Sequence, residues 1–243
     1  MAGYYDIHTH ILPGVDDGAR DKEETVQMLQ LAYEEGVRHI IATPHFTPGE
    51  KNPSRETLEK ALEYTQEEAK KIDPAMTVAL GNEILHDAGA LSALKKGEAL
   101  TLGGTRYILV EFMPSDSYHK IYSAMREYVM NGYIPIMAHM ERYEALVKKY
   151  DSLKELSKLG VYFQMNTESI IGGVFQRKAA YHRKLVEEGY IQFFGSDCHR
   201  GEKRRVPQME SALKYLDREY MGDKLWDSIF SKNPEKMLAD EFI

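Results

Sequence analysis

Histidine and carboxylate side chains recur at one kind of position along this chain. Five of its nine histidines stand at the predicted C-terminal ends of β-strands, and they are His8, His10, His45, His139 and His199. Three carboxylates occupy the same kind of position, and they are Glu83, Glu111 and Asp197. Imidazole and carboxylate together form the ligand set that Mn²⁺, Fe and Zn²⁺ share. The sequence therefore predicts a metal centre.

The spacing within two motifs supports shared ligation. His8 and His10 are two residues apart, and side chains of an extended segment alternate between its faces, so both imidazoles point the same way. Asp197 and His199 repeat this spacing, and a carboxylate can bridge two ions. Asp17, in the loop PGVDDG, is a ninth candidate ligand. At about four to six ligands per ion, counting waters and bridging carboxylates, the set predicts two or three ions.

Arginines lie close to these candidate ligands. Arg142 follows His139 by three residues in the motif HMERY, and Arg200, Arg204 and Arg205 follow the last pair of ligands. A guanidinium donates two hydrogen bonds to a phosphate while bound metal ions neutralise its remaining charge. This arrangement favours a phosphoester substrate over a neutral amide. The alternative interpretation of the run RGEKRR is an ordinary solvated loop.

The single cysteine suggests a different phosphatase chemistry. Cys198 and Arg204 formally satisfy the C-x5-R pattern of thiol-dependent tyrosine phosphatases. Such a loop needs small residues so that its backbone N–H groups can approach the anion, and the five intervening residues here include Glu and Lys. The alternation of side chains also directs Cys198 away from the metals. We interpret this thiol as a packed core residue rather than a nucleophile.

The elements that position these residues alternate between strands and helices. Seven β-branched or aromatic runs predict strands at about Tyr4–His8, Val37–Thr43, Thr77–Glu83, Tyr107–Phe112, Ile134–Ala138, Val161–Asn166 and Ile191–Ser196. The segments Asp21–Glu35 and Tyr118–Met130 show the periodicity of amphipathic helices. Four glycines separate a helical stretch from the next strand, and they are Gly36, Gly132, Gly160 and Gly189. This repeated order predicts parallel strands in seven βα units.

A closed barrel explains the polar strand ends better than an open sheet does. An open nucleotide-binding sheet usually carries a glycine-rich phosphate loop, and neither GxGxxG nor a P-loop motif is present. In a closed barrel all strand ends meet on one face. We therefore expect an α/β barrel, and we expect residues 1–243 to form one domain.

Composition restricts the possible partners. The chain has 243 residues with 31 Lys and Arg against 38 Asp and Glu, so its formal net charge is −7. Such a charge offers no broad basic face for nucleic acid. The first residues, MAGYYDIHTH, lack the features of a signal peptide, and no apolar run approaches the roughly 18 residues of a membrane span. We expect a cytoplasmic protein that does not insert into membranes.

The motifs DIHTHILPGVDDG, ATPH, GNEI, VEF, AHMERY and GSDCH, in this order, resemble the polymerase-and-histidinol-phosphatase (PHP) superfamily. Where its histidinol-phosphatase and polymerase-linked members usually have His-Phe, this chain has Glu111-Phe112, which is similar to the bacterial tyrosine-phosphatase branch. The resemblance implies a distorted (β/α)7 TIM-like barrel that holds a trinuclear centre, usually loaded with manganese.

The resemblance also assigns roles to individual positions. It implies metal contacts for nine residues, and they are His8, His10, Asp17, His45, Glu83, Glu111, His139, Asp197 and His199. It implies that Arg142 binds phosphate and that Arg205 is a second phosphate contact. Members of this branch hydrolyse phosphotyrosine on a membrane-associated tyrosine autokinase that regulates capsule or exopolysaccharide synthesis. The resemblance implies the same phosphoprotein partner for this chain.

The expected mechanism is attack on phosphorus by hydroxide held between two metal ions, while the third ion and Arg142 hold the phosphoryl oxygens.

The sequence leaves three alternative functions open. The first is a small-molecule phosphatase that acts on a substrate such as histidinol phosphate. The second is a metal-dependent amidohydrolase, although the chain lacks a strand-end lysine that would bridge its metals. The third is an inactive metal-binding scaffold.

Overall fold

All strands of the chain run parallel in the computed structural model, which describes residues 3–172, 176–201, 207–219 and 226–243. Its strands are β1 (Tyr4–Thr9), β2 (Val37–Ala42), β3 (His45–Phe46), β4 (Thr77–Leu80), β5 (Glu83–Leu85), β6 (Tyr107–Glu111), β7 (Ile134–Met137), β8 (Tyr162–Asn166) and β9 (Phe193–Gly195). Its helices are α1 (Lys22–Glu34), α2 (Arg55–Ile72), α3 (Ala90–Lys96), α4 (Tyr118–Met130), α5 (Tyr150–Leu159), α6 (Arg177–Glu187), α7 (Met209–Glu219) and α8 (Asn233–Leu238).

The strands curl into a barrel made of two sheets. One sheet has the order β1-β2-β4, and the other has the order β3-β5-β6-β7-β8-β9. The segment after β9 returns to β1, where the His10 N–H donates to the Cys198 carbonyl (2.9 Å) and the Asp197 N–H donates to the His8 carbonyl (2.8 Å). These bonds join the first strand to the last. The predicted TIM-like α/β barrel is therefore confirmed.

The sequence prediction of one strand over Thr77–Glu83 is wrong in detail. The structure divides this stretch into β4 and β5, and it adds β3, which at two residues is too short to show periodicity. The break comes at Asn82, whose side-chain amide donates to the Pro44 carbonyl (2.9 Å) and whose oxygen accepts from the Leu100 N–H (2.9 Å). These bonds draw the chain away from regular pairing. Glu83 thus begins a new strand instead of ending an old one.

The predicted helices agree closely with the observed ones. The helix predicted at Tyr118–Met130 has those bounds, and α1 begins one residue after Asp21. The Asp21 carboxylate caps α1 by accepting from the Glu24 N–H, and the Ser117 side chain caps α4 in the same way from Lys120. None of the described helices combines the length and the apolar character that a membrane crossing needs.

The barrel interior is apolar at the N-terminal end of the strands. Buried side chains of β1, β2, β6, β7 and β9 pack there against Met237 of α8. The last residues of the chain cover this end, since the Tyr107 hydroxyl donates to the Glu241 carbonyl (2.6 Å) and the Tyr162 hydroxyl donates to the Ile243 carbonyl (3.2 Å). Polar side chains lie at the opposite, C-terminal end of the strands.

Candidate metal centre

The structure brings all nine predicted ligands together at the C-terminal end of the barrel. Eight of them fall into three groups in which one ligand atom per residue lies within 4.8 Å of every other. The groups are His10, Asp17, His45 and His199; His8, His10, Glu83 and Asp197; and His45, Glu83 and Glu111. The groups are adjacent, since His10, His45 and Glu83 each belong to two of them. The ninth residue, His139, joins through its Nε2 atom, which lies 2.8 Å from Glu83 Oε1 and 3.3 Å from Glu111 Oε1.

Glu83 lies at the middle of this cluster. Its Oε2 atom is 3.2 Å from His8 Nε2, 3.3 Å from His10 Nε2 and 3.1 Å from His45 Nδ1. Its Oε1 atom accepts from His139. One buried carboxylate thus faces four imidazole nitrogens. Nitrogen and carboxylate donors that converge in this way suit divalent cations such as Mn²⁺ and Zn²⁺.

The two imidazoles of the first motif support the same fit. His8 Nε2 and His10 Nε2 lie 3.4 Å apart, and both face the Asp197 Oδ1 atom at 3.7 and 3.6 Å. Two ring nitrogens that face each other cannot both carry a proton at low cost, whereas their lone pairs can both point at a cation. Nitrogen and carboxylate donors in this mixture suit Mn²⁺, Fe and Zn²⁺.

The histidines and carboxylates of the cluster shift one another's pKa values. Burial raises the pKa of Glu83, but the surrounding histidines, His8 foremost, outweigh it and hold this pKa well below its usual range. Burial lowers the pKa of His10, but the carboxylates of Asp16 and Glu83 outweigh it and raise this pKa to about 10. The pKa of His139 rises to about 9 because Glu111 and Glu83 outweigh burial in the same way. The carboxylates of the cluster therefore stabilise positive charge on the neighbouring imidazoles.

Asp16 orients one of the central histidines, a role that the sequence analysis did not find. Its Oδ2 atom accepts from His10 Nδ1 (2.7 Å) and from the His45 N–H (3.1 Å), and its Oδ1 atom accepts from the Gly18 N–H (2.9 Å). These contacts outweigh burial and lower the pKa of Asp16 to about 2. A carboxylate on the distal nitrogen of a ligating imidazole fixes its tautomer and its orientation.

The strand β8 supplies two further supporting side chains. The Gln164 Oε1 atom lies 3.1 Å from His8 Nδ1 and accepts from the His139 N–H (2.7 Å). The Asn166 side-chain amide donates to Asp197 Oδ2 (3.0 Å). The strand β8 corresponds to the predicted strand Val161–Asn166. Of the seven predicted strands, this one has no histidine or carboxylate at its C-terminal end. Its alternating amides in the segment Gln-Met-Asn are the signal that could have revealed this supporting role.

Two predicted ligands have an unusual backbone conformation. His139 has φ 30° and Asp197 has φ 50°, and both values lie in the left-handed region that non-glycine residues rarely adopt. The conformation at each position is held by a hydrogen bond from its own N–H, to Gln164 at His139 and to the His8 carbonyl at Asp197. Strained backbone of this kind persists where the surrounding structure fixes it, often at functional sites.

The arginines near the cluster differ in their contacts. Arg142 lies in a short helical turn, and its Nη2 atom donates to Asp197 Oδ2 (2.6 Å) while about a third of its side chain stays exposed (32 %). Arg200 donates to the carbonyl groups of Asp17, Gly18 and His199, so it holds two loops together. The other two arginines singled out in the sequence, Arg204 and Arg205, lie outside the described residues.

Cys198 is buried in the apolar core, as the sequence interpretation expects. Burial, and after it the charge of Asp6, raises the pKa of this thiol well above its usual range. A protonated, inaccessible thiol is a poor nucleophile. The remaining four histidines, which are His39, His86, His119 and His182, belong to none of the three ligand groups found among the described residues.

The model of one protein family, described as capsular polysaccharide synthesis, CpsB/CapC, matches residues 4–239. The chain belongs to the CpsB/CapC family. It is 32 % identical to the tyrosine-protein phosphatase CpsB of Streptococcus pneumoniae, over 98 % of this chain and 99 % of that protein. It is also 32 % identical to the tyrosine-protein phosphatase YwqE of Bacillus subtilis, over 98 % of this chain and 92 % of that protein.

Solved structures show the same relationship. The structure superposes with a TM-score of 0.88 and 30 % identity, over 98 % of this chain and 96 % of the other, on a structure from a study of YwqE from Bacillus subtilis and CpsB from Streptococcus pneumoniae, described as unique metal-dependent tyrosine phosphatases. A phosphotriesterase homology protein from Escherichia coli superposes with a TM-score of 0.61 at 14 % identity over 96 % of this chain and 98 % of that protein. The second likeness concerns the barrel fold alone.

Proposed function

We propose that this chain is a metal-dependent protein-tyrosine phosphatase whose metal ligands are the nine residues at the C-terminal end of the barrel. The observation that carries the proposal is the convergence of all nine side chains on the buried carboxylate of Glu83 and its neighbours. Membership in the CpsB/CapC family and the names of the relatives support the substrate class.

The nine residues would hold two or three divalent ions, with Mn²⁺ as the expected metal and with Fe or Zn²⁺ able to use the same donors. The three ligand groups overlap, since His10, His45 and Glu83 each belong to two of them, and these three residues would help to hold more than one ion. Divalent ions in such a site lower the pKa of coordinated water and neutralise charge on a phosphoryl group. Cys198 would not serve as the nucleophile, because its side chain is buried and burial raises the pKa of its thiol, so the attacking oxygen would come from water.

Arg142 would bind and orient the phosphoryl group. Its Nη2 atom is held by Asp197, and no other described residue forms a hydrogen bond with its guanidinium, so Nη1 and Nε remain for phosphate oxygens. Arg205 is proposed as a second phosphate contact. The leaving phenolate of tyrosine needs little assistance from a general acid, since the pKa of phenol is about 10.

The substitution Arg142→Ala tests this role. We expect kcat/KM for a phosphotyrosyl peptide to fall by about a hundredfold, because a charge-assisted contact to the phosphoryl group is lost. The metal content should stay at the wild-type level, since Arg142 lies beside the proposed ligands and is not one of them. Arg142→Lys is the matched control, which keeps the charge and should recover part of the rate. Unchanged kcat/KM in Arg142→Ala contradicts the assignment.

The proposed function is tested by hydrolysis of a phosphotyrosyl peptide with the protein as purified, after chelation and after return of Mn²⁺, with metal measured in each sample. We expect activity to be lost on chelation and regained with two or three ions per chain. Cys198→Ala should behave like the wild type in all three samples, losing activity on chelation and regaining it with Mn²⁺. Activity that resists chelation and disappears in Cys198→Ala would overturn the metal mechanism. Hydrolysis of histidinol phosphate in preference to the peptide would overturn the substrate class.

In the cell, the substrate that we propose is a membrane-associated tyrosine autokinase that regulates capsule or exopolysaccharide synthesis, with the phosphatase in the cytoplasm. The description of the matched family, capsular polysaccharide synthesis, supports this setting. Co-purification of a phosphorylated autokinase with a metal-depleted form of the protein is the corresponding test. Capture of the unphosphorylated kinase alone would contradict a role as substrate.

A further inference from the structure

A cationic groove extends from the proposed metal centre along the start of helix α6. The groove is a cavity of about 800 Å³ whose wall includes Arg142, Lys148, Arg177 and Lys178, and we call it the α6 groove. Arg142 also contacts Asp197 of the metal centre, so the groove begins beside the proposed phosphoryl site. A second cavity of about 650 Å³ shares Arg177 and Lys178 with it and continues the depression across the same helix.

The balance of charge in the α6 groove is opposite to that of the whole chain. Its four cationic side chains stand in a protein whose formal net charge is −7. Two carboxylates, Glu141 and Glu144, also line it. The Glu141 carboxylate is turned into the protein, where its Oε1 atom accepts from the Asn166 N–H (3.1 Å) and from the Ser169 hydroxyl (2.7 Å), and its Oε2 atom is buried. The exposed wall of the groove is therefore predominantly positive.

Two cationic residues of α6 lie at the end of the helix where positive charge is unfavourable. Arg177 and Lys178 occupy its first turn, which has no acidic residue, whereas the N-terminal end of a helix favours negative charge. Both residues are exposed, and neither forms an ion pair with any residue that the structure describes. An anion in the groove would compensate this unfavourable arrangement. Residues that break a local rule in this way are commonly found at functional sites.

Lys148 is held at the rim of the groove by α6 itself. Its backbone lies in the left-handed region with φ 58°, a conformation that costs energy for a non-glycine residue. Its N–H donates to the Tyr181 hydroxyl of α6 at 2.7 Å, which fixes this conformation. Its exposed side chain has no carboxylate partner among the described residues. This hydrogen bond holds the loop that follows the helical turn of Arg142 in a position where Lys148 lines the groove.

We propose that the α6 groove binds anionic groups on the residues that flank phosphotyrosine in the substrate, either carboxylates or a second phosphoryl group. This inference rests on the proposed function, because Arg142 connects the groove to the phosphoryl site. An extended polypeptide advances about 3.3 Å per residue, so a segment of a few residues can follow a cavity of about 800 Å³. Lysine and arginine side chains bind both kinds of anion, and arginine binds phosphate through two hydrogen bonds.

The test compares three phosphotyrosyl peptides of equal length that carry alanine, glutamate or a second phosphotyrosine beside the target residue. The wild-type protein should hydrolyse the two anionic peptides with kcat/KM about tenfold above that of the alanine peptide. In the double variant R177E/K178E this preference should disappear. The variant should fold normally because glutamate in the first turn of a helix is favourable. Hydrolysis of p-nitrophenyl phosphate, which is too small to reach the groove, should be unchanged.

The control variant is K70E/K71E, which changes the net charge by the same amount on the last turn of α2, a helix that packs on α1 and β4. It should keep the preference for anionic peptides. In the wild type, raising the salt concentration from about 50 mM to about 500 mM should also reduce the preference, since exposed charges are screened. The larger of the two anionic preferences identifies carboxylate or phosphoryl as the better ligand.

Two results would overturn the inference while leaving the proposed function intact. One is equal kcat/KM for all three peptides in the wild type, and the other is an anionic preference that R177E/K178E retains in full. Failure of the proposed function has a different signature, because then none of the three phosphotyrosyl peptides is hydrolysed by the Mn²⁺-loaded protein.

Discussion

The two ends of the barrel differ in the polarity of their side chains. At the N-terminal end of the strands, apolar side chains pack around Met237, and the C-terminal segment covers them. At the C-terminal end, five histidines, three buried or partly buried carboxylates and the exposed Asp17 crowd around shared positions. The first end contributes burial of apolar surface, and the second gathers ionisable side chains and strained backbone. The difference agrees with the proposed function, in which one end stabilises the fold and the other end carries the proposed chemistry.

Such a division has a physical basis in the direction of the strands. Parallel strands place all their C-terminal ends on one face, so side chains from distant parts of the sequence meet there. Burial of carboxylates and imidazoles without solvent is costly unless they are paired or hold metal. Burial of apolar side chains at the N-terminal end of the strands offsets the cost of burying these polar groups. If the two ends are independent, changes at each should affect different observables.

The largest effect is expected from Glu83→Gln at the chemical end. The amide keeps the shape of the side chain but removes the charge that four imidazoles face. We expect kcat/KM for a phosphotyrosyl peptide to fall by at least about a thousandfold, with a parallel loss of bound metal. The far-UV circular dichroism spectrum should stay the same. Wild-type metal content in this variant would contradict the central position of Glu83.

The next largest effect is expected from Met237→Ala at the apolar end. Met237 is fully buried against the barrel interior, and removing such a side chain costs about 2–5 kcal/mol in the free energy of unfolding. Urea denaturation measures this loss. The folded variant should keep its metal content and its kcat. Lys236→Ala, on the exposed face of the same helix, is the control and should change stability by less than about 0.5 kcal/mol. Metal loss from folded Met237→Ala would show that the ends are coupled.

A smaller effect is expected from Asp16→Asn, which leaves every proposed ligand in place. It removes the charge that orients His10 through the 2.7 Å contact. Loss of such a partner typically weakens metal affinity by about ten- to a hundredfold. Titration of metal-free protein with Mn²⁺ should therefore shift to higher concentration, while kcat at saturating Mn²⁺ stays close to the wild-type value. Superimposable titration curves would contradict an orienting role.

The last effect is the dependence of the stability of metal-free protein on pH. In metal-free protein the pKa values of His10 and His139 are raised to about 10 and about 9, above the value of about 6.5 for the unfolded chain. Their contribution to stability is therefore complete below pH 6.5 and is lost as the pH rises through 9 and 10. We expect the Tm of metal-free protein to fall by several degrees over this interval. The Mn²⁺-loaded protein should not show this loss, because ions replace the protons.

Sequence periodicity was sufficient for the general plan of the barrel and for the end of the barrel at which the nine proposed ligands lie. Strand-end histidines such as His139 are conspicuous because imidazole is rare and the strands before them are regular. The division between β4 and β5 was not predictable, because it depends on bonds that Asn82 makes to distant segments. Gln164 and Asn166 were also overlooked, because their alternation in β8 indicates only that both side chains face one way and does not identify the ligands that they contact.

The contact between Arg142 and Asp197 is another feature that the sequence could not predict. Both residues were predicted to lie at the site, but their separation of 55 positions in the chain conceals that they form an ion pair at 2.6 Å. Sequence spacing places side chains on a face of the barrel, and only the fold places one atom against another. The α6 groove belongs to the same class of feature, since Lys148 and Tyr181 meet only in the folded protein.

Anomalous X-ray scattering from crystals of the Mn²⁺-loaded protein tests the central claim most directly. The account predicts two or three manganese peaks, each bounded by the side chains of one ligand group around His10, His45 and Glu83. It also predicts that the peaks and the hydrolysis of phosphotyrosyl peptide disappear together in Glu83→Gln. An active wild-type protein with no manganese among these nine residues would contradict the account.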